Sequence, residues 1–332
     1  MRAEAIIAKS TARRKIMAFD VSVVGLYILD ILGRPVEEIP PGGQLRFIDE
    51  IRLTVAGTAG GSAIDCAKLG LNTRAVGAIG DDEKGDFILH TLTGFGVDIA
   101  EMRKLTGVPT SSTILNVRPN GDRPALHRRG ASDELTLGEK DYPAILDAKF
   151  VHVGGMPLLA KLDGAPTTAL LKAAKEAGCQ TTFDLLSATA ETLDVLKPSL
   201  PFVDYFVPSI EDAEAMCGLS VPEDAAKFFL DAGATNCCLT MGGDGCIVAT
   251  QDAMFRLPAF DIDVKDTTGC GDAFTAGLIA GLNHDWDIEK AARFASACGA
   301  LVSTGLGSDA GIVSFEETEK LMNSAPTLPM AS

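Results

Sequence analysis

The chain is poor in the residues that identify several classes of protein. It has one Trp, three Tyr, four His and eight Cys among 332 residues, and no two cysteines form a C-x-x-C pair. Zinc sites and disulfide frameworks need paired or regularly spaced cysteines or histidines. We therefore expect buried, reduced thiols in a cytoplasmic protein. No apolar run approaches the roughly 20 residues of a membrane helix.

Positive charge is also scarce. The chain has 29 Lys and Arg against 45 Asp and Glu, a formal net charge of −16. This balance disfavours binding to nucleic acid or to an anionic membrane through bulk electrostatics. An anionic substrate would need a local positive pocket, which a helix N-terminus can supply. Residues 1–15 are basic with a short apolar patch and predict a flexible tail rather than a signal peptide.

The strongest pattern lies between Phe260 and Leu282. A β-branched lead-in through Val264 is followed by a polar, glycine-bearing turn at 266–272 and by a run of Ala, Gly and Leu at 273–282. This order predicts a strand, a turn and a buried helix. The first turn of a helix has unpaired N–H groups and partial positive charge, and glycines let an anion approach them. The segment therefore predicts an anion-binding turn.

Asp272 begins the predicted helix and allows two interpretations. A first-turn aspartate stabilises a helix by itself. Alternatively, it is a general base aimed at a hydroxyl beside a bound phosphate. Gly269 and Gly271, together with Asp266 and Thr268 one turn earlier, favour the second interpretation. At a helix N-terminus we expect its pKa to be low.

From about residue 149 onward, strand-like and helical runs alternate. Strands are predicted at 150–153, 181–184 and 202–207, and a helix at 167–177. This alternation predicts an α/β protein whose strands form a parallel sheet with right-handed crossovers.

The turn sequence DTTGCGD at 266–272 resembles the DTxGAGD signature of the ribokinase-like (PfkB) family of carbohydrate and nucleoside kinases, with Cys270 in place of the usual Ala. The resemblance implies a three-layer α/β/α fold with a mostly parallel central sheet and a small β-lid. It implies a single kinase domain over residues 16–325, with lid segments at about 31–56 and 105–130 inserted.

The resemblance also implies ATP-dependent phosphorylation of a hydroxymethyl group on a sugar or sugar acid. The chain has no Walker loop and no protein-kinase HRD or DFG set, so catalysis must depend on positioning and electrostatics. In this scheme, Asp272 is the base, and the N–H groups of Gly269, Cys270 and Gly271 stabilise the transferring phosphoryl group.

A strand-like run from Met17 to Leu29 ends at Asp30, before a segment rich in Pro and Gly. Buried strands of α/β proteins end at the sheet edge where ligands bind. Asp30 either closes a turn or accepts hydrogen bonds from substrate hydroxyls. The resemblance implies the second role, because family members carry an Asp a few residues after the glycine of the first strand, here Gly25.

Residues 44–56 alternate as strands would, and the segment 57–62 opens a helix that is closed by Gly70. The opening does not fit a G-x-G-x-x-G dinucleotide loop. It resembles the family's GGxxAN-type turn, which implies substrate contacts at Gly57, Thr58 and Gly61. Gly61 replaces the family's frequent Asn, so one side-chain contact is missing or comes from elsewhere.

Two further segments resemble nucleotide contacts of the family. Ser209 and Asp212 form a capping-box-like pattern, which explains them as a helix start. The resemblance places them at the PNxxE position, where a carboxylate orients water around Mg²⁺. Thr240, Gly242 and Gly245 suit a hairpin turn, and the resemblance makes them contacts to the nucleotide.

A helix predicted at 288–303 is followed by glycines that suit a C-cap. The resemblance implies that backbone carbonyls there join the anion-binding turn in holding a potassium ion, and a site made only of oxygen ligands suits an alkali ion. The matching positions are Asp266, Thr268, Val302, Gly305 and Gly307. The expected cofactors are therefore ATP, Mg²⁺ and K⁺.

Other functions stay open at this level. A nucleoside kinase of the adenosine-kinase type would need an aromatic slot, for which Tyr27 is the candidate stacking group. A catalytically silent nucleotide-binding regulator and a Rossmann oxidoreductase are the alternatives outside this class. Lid strands pair across a two-fold axis in members of the family, so a homodimer is a further expectation.

Overall fold

The structure, a computed structural model, describes residues 17–330, so the predicted tail at 1–15 lies outside the described residues. These residues form thirteen strands: β1 Phe19–Gly25, β2 Ile28–Arg34, β3 Glu50–Ala56, β4 Thr73–Gly80, β5 Asp98–Leu105, β6 Ser112–Asn116, β7 Ala125–Arg128, β8 Ala148–Met156, β9 Gln180–Leu185, β10 Tyr205–Val207, β11 Asn236–Thr240, β12 Cys246–Ala249 and β13 Met254–Leu257.

The same residues form ten α-helices: α1 Thr58–Lys68, α2 Glu83–Gly94, α3 Tyr142–Ile145, α4 Ala165–Ala177, α5 Ala190–Leu196, α6 Ile210–Cys217, α7 Pro222–Asp231, α8 Cys270–Asn283, α9 Ile288–Ser303 and α10 Phe315–Ser324. None of the helices within residues 17–330 is long and apolar enough to cross a bilayer.

Nine strands form the central sheet, in the order β13-β12-β11-β10-β9-β8-β1-β4-β5. Neighbours from β11 to β5 are parallel, and β12 and β13 extend one edge as antiparallel strands. The predicted α/β class with a mostly parallel sheet is confirmed.

Helices cover both faces of this sheet. Val21 and Val23 of β1 belong to a core cluster that includes Phe294 of α9. Val24, on the opposite face of the same strand, belongs to a second cluster with Phe229 of α7. A strand that is buried on both faces is expected to be apolar on both, and residues 21–24 are all buried, with Ser22 as the one polar side chain among them.

The strand-like run from Met17 to Leu29 folds as two strands rather than one. β1 ends at Gly25, whose φ is 141°, and a side chain there would collide with the Gly154 carbonyl of β8. The chain turns at this glycine and enters a second sheet, of order β3-β2-β6-β7. Asp30 therefore lies inside β2, so the interpretation in which it closes a turn is wrong.

The small sheet has one polar row on its inner face and an apolar row on its outer face. The inner row pairs Asp30 with Thr54 on one side and with Thr113 on the other, and all three side chains are buried. The outer row, one residue along each strand, is Leu53, Ile31, Ile114 and Leu126. Because side chains alternate between faces, the polar row points inward, next to the buried apolar pair of Leu32 and Leu115 on the same face.

Three predicted strands differ from the observed ones. Residues 44–49 are irregular, and β3 begins only at Glu50. The strand expected from Phe202 begins at Tyr205, after a short 3₁₀ turn. The lead-in to the anion-binding turn is not a strand, since its one bridge joins Phe260 to Thr327 and Val264 is 53% exposed. The apolar residues of this segment line a cavity and do not belong to a β-sheet.

Candidate active site

The predicted anion-binding turn forms the N-terminus of α8. Gly269 precedes the helix with a φ of 82°, in the left-handed region that favours glycine, and a side chain there would collide with Ser308. Among the described residues, the N–H groups of Gly271 and Asp272 donate to no backbone carbonyl. They are free to bind an anion, and the helix dipole adds positive charge.

Asp272 is buried in the first turn of α8. Burial raises the pKa of its carboxyl to about 6, and the guanidinium of Arg123 opposes this rise. The expected low pKa is therefore wrong, because the loss of hydration outweighs the helix dipole. A carboxylate with this pKa is a stronger base than an exposed one and is still ionised at neutral pH.

Helix α1 packs directly against Asp272. The Ser62 hydroxyl donates to the Asp272 carbonyl oxygen at 3.1 Å. A Cβ atom on Gly61 would lie 2.5 Å from Asp272 Oδ2. Any side chain at position 61 would displace the carboxylate, so the glycine that replaces the family's Asn sets the position of Asp272.

Asp30 reaches the same region from the small sheet. It is 4% exposed, and its Oδ1 atom has no hydrogen-bond partner. Burial raises its pKa to about 7; the Thr113 hydroxyl opposes the rise and the charge of Asp272 adds to it. Thr58, the residue after Gly57, is also buried with a partnerless hydroxyl. Buried polar atoms normally have partners, so these two predicted substrate contacts suit a hydroxylated ligand.

A further buried carboxylate, Asp184 near the end of β9, was missed by the sequence analysis. Its Oδ2 atom accepts a hydrogen bond from the Thr275 hydroxyl at 3.4 Å. Burial raises its pKa well above the usual range, and the charge of Asp272 raises it further. A signal was present, since a charged residue at the carboxyl end of an apolar strand points to a ligand site.

Ser209 and Asp212 form the N-cap of α6, as their capping pattern indicated. The Ser209 hydroxyl accepts from the Asp212 N–H at 3.0 Å and donates to Asp212 Oδ2 at 2.8 Å. The other oxygen, Oδ1, accepts from the Ala188 N–H at 2.7 Å. Both carboxylate oxygens are thus bonded within the protein, and the charge of Asp212 also acts on Asp184.

A cavity of about 370 Å³ adjoins the anion-binding turn. This volume lies in the range of small-molecule sites. Apolar residues of the irregular lead-in form one wall, and small residues of α9 form another. Four of the five predicted nucleotide contacts line the cavity, and Asp212 does not. The four are Ser209, Thr240, Gly242 and Gly245, and three residues of the turn line the cavity with them, namely Thr267, Cys270 and Gly271.

Arg123 extends from the β6–β7 connection to the anion-binding turn. It donates to the Thr267 hydroxyl and lines the cavity. Its charge lowers the pKa of both Asp272 and Asp30. The sequence analysis missed this residue, because no spacing rule connects it to a segment 144 residues away.

The five positions predicted to hold potassium come from the anion-binding turn and from the C-terminal end of α9 with the loop after it. A hydrogen bond joins these two segments. The buried Asp266 carboxylate accepts from the Thr268 N–H at 3.0 Å, the Thr268 hydroxyl at 2.7 Å and the Gly307 N–H at 2.8 Å. The Val302 carbonyl accepts from the Gly305 N–H at 3.2 Å. Among residues 17–330, the groups that donate these hydrogen bonds to Asp266 are N–H groups and a hydroxyl, and none belongs to a basic side chain.

Comparisons with known proteins show the family to which the chain belongs. The model of the pfkB family of carbohydrate kinases matches residues 18–313. A fructokinase of Klebsiella pneumoniae is 30% identical over 83% of this chain and 93% of its own length. A 2-dehydro-3-deoxygluconokinase of Bacillus subtilis is 26% identical over 86% and 92%. The chain belongs to the pfkB family of carbohydrate kinases.

The fold agrees with this assignment. Arabidopsis thaliana ribokinase, solved with ribose and ATP, superposes with a TM-score of 0.80 at 21% identity, covering 93% of this chain and 100% of that one. The predicted three-layer ribokinase-like fold is confirmed. The protein is an ATP-dependent kinase of sugars or sugar acids, and ATP and Mg²⁺ are the cofactors expected for the family.

Proposed function

We propose that the protein transfers the γ-phosphoryl group of ATP to a hydroxymethyl group of a sugar or sugar acid. The observation that carries this proposal is the position of Asp272, a buried carboxylate at the head of α8. The cavity beside the turn suits the nucleotide. The acceptor would contact Asp30, Gly57, Thr58 and Gly61, and the small sheet would act as a lid.

In this reaction, ionised Asp272 accepts the proton of the acceptor hydroxyl. The hydroxyl oxygen forms the new bond to the γ-phosphorus, and the bond to the β–γ bridging oxygen breaks to leave ADP. The N–H groups of Gly269 to Asp272 would face the charge on the transferring group, and those of Gly271 and Asp272 donate to no backbone carbonyl among the described residues. Arg123 would add a full positive charge. Proton removal need not be far advanced, because phosphoryl transfer has a loose transition state.

Mg²⁺, when bound, neutralises charge on the β- and γ-phosphates. The described residues hold no group of three or more His, Cys, Asp or Glu that could bind a metal ion by themselves. The ion would therefore depend on ATP and water, and we assign Asp184 and Asp212 to orienting that water. Asp184 suits this role better, because both oxygens of Asp212 already accept hydrogen bonds, from the Ala188 N–H and the Ser209 hydroxyl.

We also propose that potassium binds behind the turn. Asp266 is a fully buried carboxylate whose bonds come from N–H and hydroxyl donors. A buried negative charge of this kind is stabilised by a cation. Thr268, Val302, Gly305 and Gly307 would supply the remaining oxygen ligands.

A nucleoside acceptor is less well supported. Tyr27, the stacking group considered for a base, is fully buried, and its hydroxyl donates to the Val23 carbonyl at 2.8 Å. It cannot stack on a base without leaving the core. The acceptor side otherwise offers carboxylates and hydroxyls, which suit a polyol.

Release of ADP should be measured with hexoses, pentoses, 2-keto-3-deoxy acids and nucleosides, with Mg²⁺ and with or without K⁺. We expect turnover with a sugar or sugar acid and stimulation by K⁺ that is absent in Asp266→Asn. Turnover confined to nucleosides, or ATP binding without turnover of any acceptor, would overturn the proposed function.

We further propose that the outer row of the small sheet packs against a second copy of the chain. Leu53, Ile114 and Leu126 are 45%, 48% and 67% exposed, and such a contiguous apolar row usually marks an interface. Sedimentation analysis should find a dimer that Ile114→Lys dissociates. Val313→Lys, at a position 75% exposed outside the sheet, is the control. A monomeric wild type would contradict this proposal.

A further inference from the structure

Residues 326–328 pair with the irregular segment that precedes the anion-binding turn. Two backbone hydrogen bonds flank one bridged pair of residues, in an antiparallel arrangement. The Asp261 N–H donates to the Pro326 carbonyl at 2.9 Å, the Leu328 N–H donates to the Ala259 carbonyl at 2.8 Å, and Phe260 faces Thr327 between them. The 259–261 segment lies in no strand of either sheet, so this pairing fixes its backbone.

The paired segments border the nucleotide cavity. Leu328, Ala259 and Phe260 all line the cavity of about 370 Å³. Phe260 is only 4% exposed, and together with Thr327 it also lines a second cavity of about 120 Å³. The two segments therefore form a wall that both cavities share.

Another part of the cavity wall is the side of α9 that carries small residues. Ser296, Gly299 and Ala300 line the cavity there. A flat, apolar ring fits between a helix face of small residues and a wall of Phe260 and Leu328, since aromatic rings gain most from broad apolar contact. The phosphates of the same ligand would reach the turn at the other end of the cavity.

We infer that residues 326–328 are part of the ATP-binding site: Leu328 contacts the nucleotide base, and the backbone pairing holds Phe260 against it. This inference rests on the proposed function, because it takes the cavity to be the ATP site. Without the pairing, residues 259–261 would lose two backbone hydrogen bonds and the cavity would open to water. Affinity for the nucleotide should fall, whereas the acceptor contacts lie on α1 and the small sheet and should not change.

The test compares a chain that ends at Ala325 with one that ends at Pro329. The dissociation constant for ADP is measured by calorimetry, and KM is measured for ATP and for the sugar. We expect the first truncation to raise Kd for ADP and KM for ATP about tenfold, a change worth about 1.4 kcal/mol. The KM for the sugar, and kcat at saturating ATP, should stay unchanged. The second truncation should behave as wild type.

A pair of point variants covers the case in which the shorter chain does not fold. Leu328→Pro removes the N–H that donates to Ala259, whereas Met330→Pro alters a residue that is 59% exposed. Only Leu328→Pro should weaken ADP binding. Equal ADP affinity in wild type and Leu328→Pro, or a parallel loss of sugar and ATP affinity, would overturn the inference. Failure of wild type to bind ADP would instead overturn the proposed function.

Discussion

The proposed nucleotide half and the proposed acceptor half of the active site are built in different ways. In the nucleotide half, glycines and small side chains of the short segments 240–245 and 266–272 leave backbone N–H groups free to bind an anion, and apolar side chains complete the cavity. The acceptor half consists of polar side chains from separate elements, such as Asp30 of β2 and Thr58 of α1.

The two halves also differ in how they handle charge. In the proposed nucleotide half, main-chain dipoles would face the phosphate, and dipoles do not titrate. The proposed acceptor half carries carboxylates whose pKa values are raised by burial, namely those of Asp30 and Asp272. Binding of the nucleotide should therefore depend little on the ionisation of protein carboxylates, whereas turnover should depend strongly on it.

The largest expected effect comes from Asp272→Asn, which removes the base and leaves the dipoles. We expect kcat to fall by about 10²–10⁴, the usual contribution of a general base, with ADP affinity retained. Asp263→Asn, in the exposed part of the same loop, is the control for charge. Near-normal turnover by Asp272→Asn would remove this residue from the mechanism.

Gly61→Ala should have the next largest effect. The new Cβ atom would lie 2.5 Å from Asp272 Oδ2, and a displacement of about 1 Å in an active site can cost about 10²-fold in rate. We expect kcat to fall by about that factor without loss of ADP binding. Gly94→Ala, where a Cβ meets nothing within 4 Å, should leave kcat unchanged.

The pH profile distinguishes the two halves directly. The base acts only when ionised, so kcat/KM should rise with pH through about 6, the pKa of Asp272, and should be lost in acid. Because Arg123 lowers that pKa, Arg123→Met should move the acidic limb to higher pH, and Arg128→Met should not. Kd for ADP will vary over this range with the ionisation of its own terminal phosphate, whose second pKa is about 6, and this variation should be the same in Asp272→Asn as in wild type.

Asp65 of α1 tests how much a buried carboxyl group lowers the free energy of unfolding. Neither of its oxygens has a partner, and burial raises its pKa well above the usual range. Folding thus opposes ionisation, and stability falls as pH rises above the pKa of the unfolded chain. Asp65→Asn should raise the free energy of unfolding by about 1–3 kcal/mol at neutral pH and by less in acid, whereas the exposed Asp231→Asn should not. A destabilised Asp65→Asn at neutral pH would show that the carboxylate has a stabilising partner.

Cys270→Ala should have the smallest effect. The side chain lines the cavity, but the function proposed for this position is that of its backbone N–H. Burial raises the thiol pKa to about 12, so the thiol is not a nucleophile at neutral pH. We expect kcat to stay within about twofold, because Ala keeps the backbone N–H and an un-ionised thiol takes no part in the chemistry. A large loss of kcat would mean that the turn depends on this side chain.

Contiguous features were predictable because their physical cause is local. The turn at 266–272 contains its own glycines and opens its own helix, and α9 occupies the predicted residues 288–303. The capping pattern at Ser209 needs only the N–H three residues away. In each case the interacting groups lie within one turn of the chain, so spacing alone defines the geometry.

The sequence by itself determined the α/β class, the glycine turn that begins α8 and four residues that line the cavity beside it, because periodicity and glycine placement act over a few residues. Only the tertiary structure decided that Asp30 lies within a strand of a second sheet, that Arg123 reaches the turn, and that Asp272 is a stronger base than its place on a helix indicates. The physical reason is that burial and charge proximity depend on segments far apart in the chain, and loss of hydration shifts a pKa more than a local dipole does.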